Sequence, residues 1–272
     1  MKKCLSYIVF SALCFLCYYS ASAQMDTTFK LVGVIKWNIA SFEVNNLGEI
    51  YLINSDNQLM KLDNKGDSVG VFNEVTKYGR LSYIDAHNPW RTLLYYKDFL
   101  TIALLDKYLN VIGSIKLPQV NIFRAAAMAT SYDNNIWVYD EQDNKLKKID
   151  QSGTQLTETT DFSLLFDSLP SPSRIRDNDG FVYLYDTRKG VYVFDYYGSF
   201  KNRLTFLHWK DIAVNGKYIY GFDDKYFYRY TGLLNLEKYV LPDDMRSSRS
   251  IKLANGNIYV LKDNCIYIYT LR

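Results

Sequence analysis

The sequence predicts an all-β fold, a six-bladed β-propeller of four-stranded antiparallel blades whose last blade is closed by the N-terminal strand. Three observations carry this expectation. Short bursts rich in Tyr, Ile, Val and Phe alternate with polar residues, as half-buried strands do. One such strand recurs six times at a spacing of about 40 residues, the period of propeller blades. The last repeat stops one strand short, while an unassigned strand precedes the first.

In chain order, residues 1–23 of the 272 read as a secretory signal peptide. Lys2 and Lys3 supply the charged start, Ile8 to Tyr19 the apolar core, and Ala21-Ser22-Ala23 before Gln24 the small-residue cleavage pattern. The apolar run is shorter than the ~20 residues that span a bilayer, so no transmembrane anchor is expected. Leu13 and Leu16 stand before Cys14 and Cys17 where a lipobox resembles Gly or Ala, so ordinary cleavage is expected, leaving one domain over residues 24–272. Three of the four cysteines leave with the signal; Cys265, in a strand-like run, then reads as a small buried hydrophobe.

Phe29 to Ile35 is the unassigned strand that should supply the outer edge of blade six. Blade one follows as Ala40 to Val44, Ile50 to Ile53, Leu59 to Leu62 and Val69 to Phe72, with turns at Asn45 to Gly48, Asp56-Asn57 and Asp63 to Gly66. The second strand reappears as Leu93 to Tyr96, Ile136 to Tyr139, Val182 to Tyr185, Ile219 to Phe222 and Ile258 to Leu261, in steps of 43, 43, 46, 37 and 39 residues. Asn215-Gly216 and Asn255-Gly256 are hairpin signals between first and second strands, and Asp177 to Gly180 does the same in blade four. The connection from Thr157 to Ser173 holds a helix signal: Phe162, Leu165, Phe166 and Leu169 fall at i, i+3, i+4 and i+7 behind Asp161, and Pro170 ends the run.

Gly48-Glu49-Ile50-Tyr51-Leu52 with Leu62-Asp63 and Gly66, and the matching runs Gly180 to Leu184 with Asp186, Phe194-Asp195 and Gly198, form a pattern that blade three shares through Ile136-Trp137-Val138, Asp140, Ile149-Asp150 and Gly153. This pattern resembles the repeat of six-bladed NHL-type propellers, and blades two, five and six depart from it. The resemblance implies the architecture; such propellers host binding modules and enzymes alike. A membrane barrel is the rival fold, but its strands need about 9 to 11 residues, longer than the runs here.

Without the signal, 30 basic residues face 29 acidic ones, so there is no long-range basic field for nucleic acid. No G-x-S-x-G, H-E-x-x-H, C-x-x-C or glycine-rich phosphate loop occurs, and no cofactor is expected. Of the two histidines, His87 sits in a turn beside Asn88-Pro89-Trp90, and His208 enters the first strand of blade five as the weak candidate for acid or base work. Asp56, Asp98, Asp140, Asp186, Asp223 and Asp263 each close a second strand, where Asp binds its own turn backbone. Calcium would need six or more oxygens converging on one point, and blade geometry spreads these turns apart, so no metal is expected.

The candidate binding residues are those at the start of each repeat: Trp37, Arg80, Arg124, Arg174, Trp209 and Arg249. They should gather on the face where blade-to-blade connections emerge. Guanidinium groups read carboxylate or phosphate bidentately and tryptophan offers a stacking plate, while the alternative is that the arginines pair with the Asp turns and hold blades together. The expectation is an exported, non-catalytic binding or scaffold protein of a bacterial envelope, periplasmic, outer-membrane-associated or extracellular, engaging a protein, peptide or acidic glycan on that face. The alternative is a propeller lyase, lactonase or glycan hydrolase acting there through His208 or the Asp223-Asp224 pair.

Overall fold

A computed structural model describes residues 29–232 and 235–271; the expected signal peptide and Thr28 lie outside the described residues. The chain forms six four-stranded antiparallel sheets. After β1 (Phe29–Lys36) come blade one, β2 (Ile39–Val44), β3 (Ile50–Asn54), β4 (Leu59–Leu62) and β5 (Ser68–Phe72), and blade two, β6 (Tyr83–Asp85), β7 (Arg91–Tyr96), β8 (Thr101–Asp106) and β9 (Val111–Lys116). Blade three is β10 (Ala125–Thr130), β11 (Ile136–Asp140), β12 (Lys145–Ile149) and β13 (Gln155–Glu158). Blade four is β14 (Arg174–Asn178), β15 (Phe181–Asp186), β16 (Gly190–Asp195) and β17 (Phe200–Leu204). Blade five is β18 (Asp211–Asn215), β19 (Tyr218–Phe222), β20 (Tyr226–Tyr230) and β21 (Leu236–Val240), and blade six is β22 (Ser250–Ala254), β23 (Asn257–Lys262) and β24 (Cys265–Leu271).

The outer strand of blade six is β1, paired antiparallel with β24 from Phe29 opposite Leu271 to Lys36 opposite Cys265. The two ends of the described chain thus share one sheet, and the ring closes without an open gap between first and last blades.

Strand position sets burial. The second strands β7 and β11 are buried on both faces, because each is covered by neighbouring blades. The outer strands β5, β9, β17 and β21 alternate or stay exposed. The core is therefore a set of sectors, one hydrophobic cluster at each of the six blade interfaces.

Between third and fourth strands, blades one to four use one turn. The Oδ1 of Asp63, Asp106, Asp150 and Asp195 each accepts the N–H groups two and four residues on. The residue three on is left-handed: Gly66, Gly153 and Gly198, but Leu109 (φ 70°) in blade two. Leu109 pays roughly 1–2 kcal/mol for that conformation, and its side chain, buried between blades one and two, returns about as much or more by leaving water. Blade six needs no such turn, since its outer strand comes from the other end of the chain.

The expected helix is not formed. Asp161 does cap the segment, its Oδ1 accepting the Ser163 N–H at 2.8 Å, but only a 3₁₀ turn, Phe162–Leu164, follows. The aromatic residues serve the blades instead: Phe162 stacks on Tyr139 and Phe194 with centroids 5.5 and 5.0 Å away, and Phe166 meets Tyr192 and Phe200 at 4.9 Å. Leu165 and Leu169 remain exposed. A run this short cannot sustain a helix by itself, and burying two rings between blades three and four outweighs what its few helical bonds would contribute. The same interface holds Asp177, whose carboxylate accepts from Ser131 Oγ, Trp137 Nε1 and Tyr196 Oη at 2.7–2.9 Å.

Deleting residues 28–35 should uncover the β24 edge and the apolar surface around Phe29, at ~25 cal/mol per Å² exposed. Thermal denaturation should show a large loss of stability or outright aggregation. A truncated chain melting within about two degrees of the intact one would mean that β1 contributes little to closure.

Candidate functional site

The inner strands of the six blades face the axis, and their alternation decides what lines it. Phe42, Ile84, Met128, Ile175, Ile212 and Ile251 turn into the blade interfaces, paired with Leu52, Leu94, Val138, Leu184, Gly221 and Val260 of the second strands. Of the residues on either side, Ala127 and Ala129 of blade three join the core between blades three and four, whereas others line the channel. Those others include three acids, Glu43, Asp85 and Asp211, and three bases, Arg174, Arg176 and Lys252.

These groups form a girdle across the axis. Lys252 of blade six bridges Glu43 of blade one, at 2.7 Å, and Asp211 of blade five. From blade four, Arg174 Nε lies 3.4 Å and an Arg176 terminal nitrogen 3.6 Å from Asp211 Oδ1, and Arg174 also faces Glu43 at 3.8 Å. Arg174 lies over the Tyr83 ring, 5.3 Å from its centroid. Asp85 is held by backbone, its Oδ2 accepting the Thr130 N–H at 2.5 Å and its Oδ1 the His87 N–H at 3.1 Å.

Burial works to raise the Asp211 carboxyl, but Lys252, Arg174 and Arg176 outweigh it and hold the group well below the usual carboxylate range. Burial likewise works against the charge on Arg176, and Asp211 more than compensates, so the guanidinium stays fully protonated. Burial pushes the Tyr83 phenol far up, which keeps its proton on the ring oxygen. That hydroxyl is buried and has no hydrogen-bond partner among the described residues.

The girdle divides the channel into two hollows. One opens on the face where blade-to-blade connections emerge, has a volume of about 310 Å³, and carries Tyr83, Arg174, Lys210 and Arg249 on its walls. The other opens on the face of the hairpins between first and second strands, has a volume of about 360 Å³, and is edged by Asn46, His87, Asn178, Asn215 and Asn255. Glu43, Asp211 and Lys252 are common to both.

Of the residues singled out at the repeat starts, Arg174 and Arg249 meet in the connection-face hollow. Arg249 is exposed, with 3.3 Å contacts to Ala40 O and Asn264 Oδ1. Arg80 and Arg124 are exposed but outside the hollow, Arg124 lying 3.7 Å from Glu141. Trp37 is half-buried against the interface of blades six and one. Trp209 is buried, stacked between Phe206 at 4.5 Å and Tyr228 at 5.0 Å, so neither ring face is open to a ligand. Its neighbour explains a break in the repeat: a Cβ on Gly221 would sit 1.8 Å from the indole, so this second strand gives up its branched residue to seat the ring.

His208 is exposed, left-handed at φ 63°, and gives its backbone N–H to Thr187 O at 2.6 Å; it does not line either hollow. Asp223 accepts from two turn N–H groups and from Tyr228 Oη, and Asp224 pairs with Lys210 at 2.7 Å, so the two carboxylates act apart. Asp140 and Asp186 likewise bind their turn backbones, while in blade one Asn54 Oδ1 takes that part and Asp56 supplies the N–H. Among the described residues no three His, Cys, Asp or Glu side chains group so as to hold a metal, and no helix is long and apolar enough to cross a membrane. The sequence reading missed Glu43, Asp85, Arg176, Asp211 and Lys252. Their signal was a charge placed one residue from the buried inner-strand position.

No protein-family model matches the chain, and no curated protein matches it. Among solved structures it is similar to virginiamycin B lyase from Staphylococcus aureus, at 15% identity over 85% of this chain and 80% of that one, with a TM-score of 0.59. It is also similar to a WD40 domain from Neurospora crassa, at 10% identity over 90% and 96% of the two chains, with a TM-score of 0.61. A third is PorZ, described as a bacterial surface component of the type-IX secretion system of Porphyromonas gingivalis, at 10% identity over 82% of this chain and 29% of that one, TM-score 0.54. At these identities the likeness establishes the propeller fold.

Replacing Asp211 by Asn leaves Arg174, Arg176 and Lys252 with only Glu43 and Asp85 nearby and should cost about 3–5 kcal/mol at neutral pH. Because the native carboxyl is held below its unfolded value, its contribution is complete above about pH 4 and fades as pH falls toward the native value. Melting curves between pH 7 and about pH 2 should therefore show a shallower acid limb for Asp211→Asn than for the parent. Parallel acid limbs would contradict the lowered carboxyl.

Proposed function

We propose that the protein is an exported, non-catalytic binding propeller of a bacterial envelope, which engages an acidic group of a protein, peptide or glycan at the connection face. The observation that carries this reading is the hollow on that face, where Arg249 stands beside Arg174, Lys210 and Lys252 with no carboxylate of its own among the described residues, and the Tyr83 hydroxyl has no hydrogen-bond partner among them. A carboxylate entering there meets guanidinium donors in a half-dry site, where charge-assisted hydrogen bonds are strongest. Arg249 is exposed and held only by two long hydrogen bonds, to Ala40 O and Asn264 Oδ1, which a carboxylate can outcompete.

Export rests on residues 1–23, and the envelope setting draws support from the likeness to PorZ, a bacterial surface component. Binding is preferred over turnover because an acid or base poised near neutrality is needed for the lyase or hydrolase alternative. Asp211 is held ionised by its cations, Asp223 is committed to its turn and Tyr228, and His208 lies off the hollow.

Titration calorimetry with an oligoglutamate peptide and an oligogalacturonate, each against its neutral counterpart, tests the reading. At least one acidic probe should bind, more weakly as salt rises, and Arg249→Ala should weaken it by about tenfold without moving the melting temperature. Arg174→Ala should weaken binding and also lower the melting temperature, because that residue belongs to the girdle; Arg124→Ala should change neither. Acidic probes that bind no better than neutral ones, or an Arg249→Ala variant that binds as the parent does, would refute it.

A further inference from the structure

The hollow on the hairpin face has a different chemistry from its counterpart. Its charged lining cancels: Glu43, Asp85 and Asp211 against Arg176, Arg229 and Lys252. Those charges are already spent on one another, on backbone N–H groups and on Glu237, which holds Arg229. An ionic ligand would find no counter-charge free there and would be buried unpaired, which is costly. A neutral, strongly hydrogen-bonding ligand is favoured instead.

The rim points the same way. Asn46, Asn215 and Asn255 are exposed, and their side chains take no hydrogen-bond partner among the described residues, whereas Asn178 is tied to Gly216 of the next blade at 3.0 Å. A carboxamide offers two donors and an acceptor on one plane, the complement of vicinal hydroxyl groups. These residues come from the hairpins of blades one, five and six. The hairpins of blades two and three carry, in the same stretch of chain, Trp90 and Tyr132, 69% and 67% exposed; Lys107 lies over Trp90 at 5.2 Å from its centroid and Tyr132 stacks one face on Tyr196 at 4.5 Å, which leaves each ring its remaining surface. The two hairpins are joined by the Asn88–Asn134 side-chain hydrogen bond at 2.7 Å and by Arg91 to Asn134 O, so the hairpins that carry these rings, just beyond the hollow's lining, are braced. Amides at the rim and aromatic plates beyond it are what a sugar chain needs, polar edges for its hydroxyls and flat surfaces for its C–H faces.

We propose that the hairpin-face hollow receives the terminal unit of a neutral oligosaccharide, whose next units lie across the hairpins of blades two and three toward Trp90 and Tyr132. The volume of about 360 Å³ lies in the small-ligand range, sufficient for one or two sugar units and not for a folded partner. A peptide is disfavoured because the rim is built of turn side chains and offers no strand edge for a peptide backbone to pair with. The site is independent of the acidic-ligand reading for the opposite face, and each can fail alone.

The test uses the mature protein titrated with cellohexaose, chitohexaose, maltohexaose and mannohexaose, read by tryptophan emission and by calorimetry. Trp137 and Trp209 are buried and Trp37 half-buried, so a ligand-induced change in emission should report mainly on Trp90. At least one sugar should bind saturably and shift the emission, and Trp90→Phe should abolish the shift. Asn46→Ala and Asn215→Ala together should weaken binding by at least about tenfold, with an unchanged melting temperature; Asn46→Ala alone, at an exposed and uncommitted side chain, covers the case in which the double variant folds poorly, and should weaken binding several-fold. Absence of binding by all four sugars at millimolar concentration, binding indifferent to the Asn substitutions, or tighter binding of oligogalacturonate or of a neutral hexapeptide at this rim would each overturn the proposal.

Discussion

Six blades arranged around an axis leave a channel that their inner strands must fill, and in this protein ion pairs fill it. The contact between Lys252 and Asp211, extended to Glu43, Arg174 and Arg176, joins blades one, four, five and six across the axis. Among the described residues, neighbouring blades otherwise meet through apolar sectors and hydrogen bonds such as Ser131–Asp177 and Asn88–Asn134, whereas the girdle also joins blades that are not neighbours, as Arg174 to Glu43 does. Charges in such a position add little net stability over a well-packed apolar plug, because desolvation takes back most of the Coulomb gain. What they supply is geometry: a floor with fixed donors and acceptors at the centre of the molecule.

That floor gives the two faces their separate characters. On the connection side the walls add Lys210, which pairs with Asp224, and Arg249, which pairs with no carboxylate among the described residues; on the hairpin side they add carboxamides and a histidine. Ring closure by β1 matters here too, because Lys252 stands on the inner strand of the very blade that β1 completes. A frayed sixth blade would loosen one arm of the girdle and with it both hollows.

Much of the fold was legible because it is local. The Asp-x-x-Gly turns after Leu62, Ile149 and Phe194, the recurring second strands and the missing last strand are all decided by residues close in sequence. Phe162 and Phe166 misled because a helical spacing records which residues are apolar, not what covers them; Tyr139, Phe194 and Phe200 do. Trp209 misled for the same reason, its cover being Tyr228 and the space left by Gly221. The girdle was the least legible part. Glu43 and Lys252 meet across 209 residues, and only a register for every inner strand shows that their charges share one wall. Arg174 was found for its position in the repeat, though its partners are channel acids rather than turn aspartates.

The axial charges act as one unit. A double-mutant cycle on Asp211→Asn and Lys252→Met, with stability measured by urea denaturation at neutral pH, isolates that coupling. It should return an interaction energy of about 1–3 kcal/mol, with the double variant more stable than the sum of the two single losses implies. Additivity within about 0.5 kcal/mol would contradict a coupled girdle and remove the common floor of the two hollows.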